Sequence, residues 1–273
     1  MNPFSLKAEH MGPATITAII TISTIMIITT MTATHTAMRN GLHAAHPLPF
    51  LRLQAWLSPA FPTGSYSYSH GLEWAVEAGS VCDRVSLVDW LSADLRYGSG
   101  RNEAIFFRET WICAVLGDQS RLLEIAELAA AFRGTAEFAL ESAQQASACR
   151  STLSQVWPDL LLDEIAQTLE DRSIPLSLAV VLGIRCANQE IPMVLALPAF
   201  LQSYIANLVT AGVRLIPLGQ TDGQAAIAAL EDTVLATSAD AATATIHNLG
   251  SAAFMVDLAS MAHETQYTRL FRS

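Results

Sequence analysis

Apolar side chains recur every three or four positions along almost the whole chain beyond Gly79. This spacing places them on one face of an α-helix. No stretch of strand length alternates between apolar and polar residues. The pattern therefore predicts an all-α protein, a single-domain bundle of about eight to ten helices. Beyond Gly79, helices are predicted at 86–97, 101–116, 120–132, 135–157, 160–169, 174–186, 191–213, 221–236 and 251–261.

Two of these helices carry sequence signals for their first turn. Ser86 with Asp89, and Thr221 with Gln224, have the spacing of a capping box, in which two side chains satisfy free backbone amides. We therefore expect helices to begin at these two pairs.

Two runs, 174–186 and 191–213, are nearly free of charge. A helix that is apolar all round is either buried or spans a membrane. Pro192 and Pro198 interrupt the second run, and no basic cluster flanks it as the positive-inside rule would require. We therefore predict that it is the central apolar helix of the bundle or part of a dimer interface, with a membrane span as the alternative.

The first forty residues differ from the rest of the chain. No charged residue occurs between Ile16 and Met38, and Thr, Ser and β-branched residues dominate. Three interpretations remain: an upstream extension of a protein that begins at Met31 or Met38, a membrane or targeting segment, or an ordered element. We favour the first and divide the chain into an extension at 1–40, disordered or non-native, and a helical domain at 41–273.

Charge and cysteine content exclude several classes of function. The chain has 273 residues and a net charge of −10, so it lacks the basic surface that non-specific nucleic-acid binding needs. Its four cysteines show no C-x-x-C spacing, which argues against a structural zinc site or a redox motif. We expect free, reduced, buried thiols and a cytoplasmic protein.

Motifs of catalysis are absent from the sequence. It has no G-x-S-x-G elbow, P-loop, dinucleotide-binding glycine pattern or H-E-x-x-H. His70 with Glu73, three residues apart, could share a metal to which His263 and Glu264 add ligands, but lone His and Glu on a helix surface are usually solvated. We predict no catalytic residue, no cofactor and no intrinsic metal site.

The stretch from Leu57 to Gly79 reads LSPAFPTGSYSYSHGLEWAVEAG and combines turn residues with a short helix from Tyr68 onward. Leu72, Ala75 and Val76 form an apolar face, and the remaining face is predicted to be solvated. The run resembles the N-terminal signature of the urease accessory protein UreF family, LSP-x-x-P-x-G-x-Y-S-x-S-x-GLE.

Two later segments are also similar to this family. The sequence RLIPLGQ begins at Arg214, where the family usually has Lys, and HETQYTRLFRS begins at His263. Together the three matches span most of the chain from Leu48 to Ser273.

The resemblance implies a helical dimer without covalent chemistry of its own. UreF-like proteins act between the accessory protein UreD, also called UreH, and the nickel-carrying GTPase UreG, and the assembly delivers nickel to apo-urease. The implied role is a cytoplasmic nickel-insertion chaperone and scaffold. The alternatives from other classes are an integral membrane helical protein, and a helical small-molecule-binding protein or enzyme.

The partner-binding residues are hypotheses. The face of the first short helix, with the basic residue before the second signature, is expected to contribute to UreG recruitment. The last residues are expected to be mobile in the free protein and to order against UreD, because a short free end cannot offset its own ordering entropy. The candidate residues are His70, Glu73, Trp74, Arg214, Gln220, Tyr267, Arg269, Leu270, Phe271 and Arg272.

Overall fold

A computed structural model describes residues 47–273, and this part of the chain contains eleven α-helices, two short 3-10 helices and no strand. The predicted all-α fold is confirmed. Residues 49–273 form one compact unit. The extension predicted for residues 1–40 lies outside the described residues. The helices are α1 (Leu48–Trp56), α2 (Leu72–Glu77), α3 (Arg84–Tyr97), α4 (Ser99–Leu116), α5 (Gln119–Ala131), α6 (Ala136–Val156), α7 (Leu160–Asp171), α8 (Leu178–Asn188), α9 (Met193–Leu215), α10 (Gln220–Thr243) and α11 (Phe254–His263), and the 3-10 helices are Ser65–Ser67 and Ile246–Asn248.

Helix α4 lies at the centre of the bundle and packs against α3, α5, α8, α9 and α10. Its closest neighbour is α8, which is buried from Ala179 to Ala187. Gly183 permits this approach, since a Cβ atom at that position would lie only 2.9 Å from the carbonyl oxygen of Phe107. Phe107 also stacks on Phe200 of α9, with ring centroids 5.1 Å apart. The core is therefore a closely packed apolar layer.

The two uncharged runs have different environments. The first forms α8 and is buried on all sides. The second forms α9, which buries one face, including Phe200, Ile205 and Val209, and leaves other apolar residues such as Val194 exposed. In the described part of the chain α9 is the one helix long and apolar enough to cross a membrane, a property that core helices of soluble proteins share.

Several helix ends differ from the prediction. Asp83, not Ser86, caps α3: its carboxylate accepts a hydrogen bond from the Ser86 amide at 2.8 Å. Helix α10 begins at Gln220 and continues to Thr243, beyond the predicted end. Helix α1 was not predicted, because its residues are apolar at nearly every position and show no helical period.

The cysteines agree with the expectation except at one position. Cys113, Cys149 and Cys186 are buried free thiols, whereas Cys82 is exposed. Burial raises the pKa of Cys149 and of Cys186 to about 12, which keeps both protonated and unreactive.

Candidate partner-binding site

The signature stretch folds as a turn that brings α2 against α11. The 3-10 helix Ser65–Ser67 follows Gly64, and Gly71 precedes α2 with a φ of 75°. A Cβ atom at Gly71 would lie 2.8 Å from the backbone nitrogen of Ser260 in α11. Glycine at this position thus meets two requirements at once: a left-handed backbone and a close helix approach.

Helix α2 buries its apolar face and also Glu73 on its polar face, whereas Glu77 at its end is exposed. Leu72 and Ala75 enter the apolar core as predicted. Glu73, predicted to be solvated, is only 7% exposed. The prediction was wrong because the polar face of α2 is covered by α11 and by the last residues of the chain, which helical periodicity cannot reveal.

The segment Thr265–Ser273, here called the tail, is docked on this chain. The Glu73 carboxylate accepts hydrogen bonds from the backbone amides of Leu270 at 2.6 Å and Phe271 at 2.9 Å. The Arg272 amide donates to the carbonyl of Ser67 at 2.8 Å. Phe271 is buried, and the tail is therefore held by main-chain bonds as well as by an apolar anchor.

Ser273, the last residue, is also buried. Its main-chain oxygen accepts from the Ser69 amide at 2.6 Å and from the Ser69 hydroxyl. Its own hydroxyl donates to Glu141 of α6 at 3.0 Å. The expectation of a tail that is mobile in the free protein is wrong for this structure, because the groove that orders the tail is supplied by α2, α6 and the signature turn.

Arg214 connects the second signature to both other segments. Its guanidinium lies 4.3 Å from the centroid of the Phe271 ring, a cation–π contact. Its Nη1 donates to the carbonyl of Tyr66 at 2.6 Å. The three sequence matches therefore meet at one place in the fold.

A fully buried histidine lies beneath the tail. The Nδ1 atom of His263 is 2.8 Å from a carboxylate oxygen of Glu137, and its Nε2 atom is 3.0 Å from Glu73. Arg269 reaches Glu137 from the solvent side at 3.2 Å. The side chains of Glu73, Glu137, His263 and Arg269 are here called the polar cluster.

A second histidine–carboxylate pair lies beside the polar cluster. His70 Nδ1 is 3.2 Å from Glu141, and the His70 ring stacks on Phe138 with centroids 3.8 Å apart. Burial by itself lowers the pKa of His70, but the charge and hydrogen bond of Glu141 outweigh it, so that the pKa lies above its ordinary value. Nearby, burial raises the pKa of Asp94, which accepts the hydroxyl of Tyr204 at 2.7 Å.

Within residues 47–273, no group of three or more His, Cys, Asp or Glu side chains has an arrangement that could hold a metal ion. In the polar cluster each nitrogen of His263 faces a different carboxylate, and both sides of the ring are already occupied. A cavity beside His70 is lined by Glu103, Arg133, Glu141 and Tyr204.

The structure brings together seven of the ten predicted residues. Glu73 and Arg214 contact the docked tail, and His70 pairs with Glu141, which accepts a hydrogen bond from Ser273 of the tail. The other four belong to the tail: Arg269, Leu270, Phe271 and Arg272. Tyr267 is fully exposed on the tail, and Trp74 is half-buried against the core. Gln220 is exposed at the first residue of α10. Their binding roles stay predictions.

Sequence reasoning missed Glu137, Glu141 and the structural role of His263. Glu137 lies in the first turn of α6, where an acidic residue is ordinary. The one available signal was that Glu137 and Glu141, four residues apart, share a face with the buried positions of α6.

This chain is similar to known proteins over most of its length. A family model described as UreF matches residues 81–231. The chain is similar to the urease accessory protein UreF of Rhodopseudomonas palustris strain BisB5, with 43% identity over 246 residues that cover 90% of this chain and 100% of that protein. It is also similar to UreF of Bradyrhizobium sp. strain BTAi1, with 47% identity over 228 residues that cover 84% of this chain and 93% of that protein. With this extent of similarity, and with all three signatures meeting at the docked tail, the chain belongs to the urease accessory protein UreF family.

Proposed function

We propose that this chain is a cytoplasmic scaffold that binds UreD and UreG and supports nickel insertion into apo-urease, without covalent chemistry of its own. The observation that carries the proposal is the docked tail. It fixes a surface in which Tyr267 is fully exposed and Leu270 is 60% exposed, while Phe271 anchors the segment. Large exposed apolar residues on an ordered segment are typical of a protein interface.

The surface proposed for UreD extends from the tail onto α11. The outward positions of α11 are apolar and follow helical spacing, so they form one exposed face. Helix α11 itself packs against α2 and α6 on its other side. Its residues are Phe254, Met255, Leu258 and Met261.

Changing Tyr267→Ser together with Leu270→Ser tests this surface. Both side chains are exposed, so the melting temperature should stay nearly constant, while UreD retained by the tagged chain should fall at least tenfold. Leu160→Ser is the matched control, because Leu160 is 83% exposed on α7 and is not part of the surface. Undiminished retention of UreD by the double variant would contradict the proposal.

The surface proposed for UreG contains Arg214 and Tyr66. Tyr66 is 72% exposed, and its carbonyl accepts from Arg214 at 2.6 Å. These residues lie at the edge of a groove formed by the loop at 59–66 and by Thr210 of α9. Helix α2 contributes to this surface only indirectly, by holding the tail whose Phe271 ring packs on Arg214.

The test for UreG is Arg214→Ala combined with Tyr66→Ser, measured by co-purification of UreG with a preformed complex of the chain and UreD. We expect loss of UreG with UreD retained. Arg84→Ala is the control, since Arg84 is also an exposed arginine and pairs with Asp222 elsewhere on the surface. An equal loss of UreG in Arg84→Ala would show that removal of any exposed arginine has this effect, and it would contradict the proposed surface.

Homodimer formation is proposed at the outer face of α9. An uncharged helix with one buried face leaves apolar area in water unless a second molecule covers it. Between α1 and α9 runs a groove lined by Phe50, Leu53, Leu57 and Ala206 among others. A second copy of the chain offers the same apolar face, as a two-fold interface requires.

Ala206→Arg should therefore shift the purified chain from dimer to monomer in light scattering, since a charge would be placed in the apolar groove. Ala229→Arg is the control, because Ala229 is an exposed alanine on α10 and lies outside the groove lining. A wild-type chain that is monomeric at all concentrations would refute this part of the proposal.

The whole assignment is tested by urease activation. The chain, co-expressed with UreD, UreG and apo-urease, should restore urease activity and nickel content. Each of the three variants above should reduce both. Activation that persists when all three surfaces are changed together would contradict the scaffold function.

A further inference from the structure

The cavity beside His70 is lined by residues of α1, α4, α6, α8 and α9. It measures about 70 Å³, and since one water needs about 10–15 Å³, it has room for about five to seven positions of that size. Its lining is mixed, with the apolar side chains of Phe138, Leu182 and Phe200 and the charged side chains of Glu103 and Arg133. A molecule in this space would therefore meet both apolar and charged groups.

Two side chains of the lining each have one unused nitrogen. The Nη1 atom of Arg133 contacts Glu103, whereas its buried Nη2 has no hydrogen-bond partner among residues 47–273. The Nδ1 atom of His70 lies 3.2 Å from Glu141, whereas its buried Nε2 likewise has no partner in this part of the chain. Buried polar groups in native proteins are nearly always hydrogen-bonded, because an unpaired one is costly. A molecule bound in the cavity can supply the missing partner to both side chains.

The backbone of His70 is a second sign of a site. Its φ is 57°, in the left-handed region that residues other than glycine seldom adopt. Ser173 and Glu190 share this conformation but are exposed, whereas His70 is buried. Its ring is held by the Glu141 contact and by stacking on Phe138 at 3.8 Å. Such conformations persist where the surroundings enforce them, and they are common at ligand sites.

The charges of the lining favour a neutral ligand. Arg133 is balanced by Glu103, and Glu141 carries a negative charge that His70 can at most balance. The lining therefore has no surplus positive charge, and an anion would lose its hydration without gaining a free counter-charge. A cation would lie close to the guanidinium of Arg133, which is always charged.

We propose that this cavity is a binding site for a small aliphatic primary amide. The carbonyl oxygen accepts from Arg133 Nη2, and the short alkyl group packs among the apolar side chains of the lining. A primary amide also suits either form of the His70 ring, since it offers an acceptor to a protonated Nε2 and a donor to an unprotonated one. This inference goes beyond the proposed function, and it can be tested in the absence of UreD and UreG.

The direct test compares acetamide with acetate, which have nearly the same size and shape but differ in charge. The full chain with ¹⁵N-labelled histidine is titrated with each compound, and NMR records the Nε2 signal of His70. We expect a saturable shift at His70 with acetamide and none at the exposed His247, and binding of acetate weaker by about tenfold or more. Acetate that binds as tightly as acetamide, or the lack of a saturable shift with acetamide, would overturn the proposal.

Variants of the lining give the second test. Ser142→Leu places a larger side chain at the cavity wall and should abolish the acetamide shift. Ser147→Leu is the matched control, because Ser147 is an exposed serine of the same helix and does not line the cavity. Arg133→Lys keeps the charge beside Glu103 but removes the second guanidinium nitrogen, so acetamide should bind about tenfold more weakly. If Ser142→Leu does not fold, the comparison of acetamide with acetate in the wild type decides. If it folds and binds acetamide as the wild type does, the site is refuted.

Discussion

Two buried regions of this protein are stabilised in different ways. Where α4, α8 and α9 meet, the contacts are apolar, and Phe107 and Phe200 stack between facing helices. Beneath the tail, the polar cluster joins α2, α6 and α11 through charged hydrogen bonds. The apolar region depends on shape and volume. The polar region depends on every donor finding its acceptor, because an unpaired buried charge is costly.

The contrast indicates a division of roles. Packing in the apolar core supplies most of the stability by removing surface from water. The polar cluster adds little net stability for its size, since desolvation offsets much of its attraction. It instead fixes one arrangement of the tail, and the exposed residues of the tail are the ones proposed to meet a partner.

The largest effect is expected in the apolar core. Phe107→Ala should lower the free energy of unfolding by about 3–5 kcal/mol, because it removes a buried ring and leaves a cavity between α4 and α9. Urea unfolding followed by circular dichroism measures this change. A loss below about 1 kcal/mol would mean that the core can collapse around the cavity.

Glu73→Ala should have a smaller effect on stability and a larger one on the tail. Removal of a carboxylate that accepts from His263 and from two tail amides should cost about 1.5–3 kcal/mol, the range for hydrogen bonds to charged groups. Glu231→Ala, at an exposed carboxylate on α10, is the control and should cost within about 0.5 kcal/mol. The two variants are compared by thermal unfolding and by proteolysis within the tail. Equal behaviour would show that Glu73 is no more than a surface residue.

The pH dependence of stability separates the two regions further. Because the pKa of His70 is raised by Glu141, its contribution is fully present below the pH at which the unfolded chain titrates. This contribution is lost as the pH rises through the folded-state value. Wild type minus His70→Gln, measured by urea unfolding at several pH values, should therefore give a difference that shrinks as the pH increases. A difference that grows with pH would contradict this sign.

Arg214→Ala should have the smallest effect on folding. Its cation–π contact with Phe271 is at an exposed position and is worth about 0.5–1 kcal/mol. Arg214→Lys keeps the charge but loses the planar group, so it should retain only part of the contact. The melting temperatures of both variants test this order, and a larger loss than in Glu73→Ala would reverse the ranking of the two contacts.

The sequence was sufficient for the apolar region. Helical spacing predicted α4, α8 and α9 with ends close to those observed, since burial of one face is encoded locally. The close contact between Gly183 and Phe107 could not be predicted from the sequence, but both residues lie within predicted helices.

The polar cluster could not be predicted in the same way. The sequence around Glu73, Glu137 and His263 is equally compatible with a solvated and with a buried side chain at each position. In addition, 190 residues separate Glu73 from His263. Local periodicity carries no information on which distant segment covers a polar face. The sequence therefore predicts a mobile tail and a solvated Glu73, whereas in the fold the three signature segments are in contact with one another.

The long sequence separation across the tail contact also determines when it can form during synthesis. Phe271 lies 198 residues after Glu73. At a translation rate of about 5–20 residues per second, roughly 10–40 seconds pass between synthesis of these two residues. Throughout this interval the Glu73 carboxylate of the nascent α2 lacks the Leu270 and Phe271 amides that it binds in the folded protein. The tail contact can be complete only after the residues up to Ser273 have been synthesised, so a product truncated before Leu270 would present an open groove in place of the tail surface.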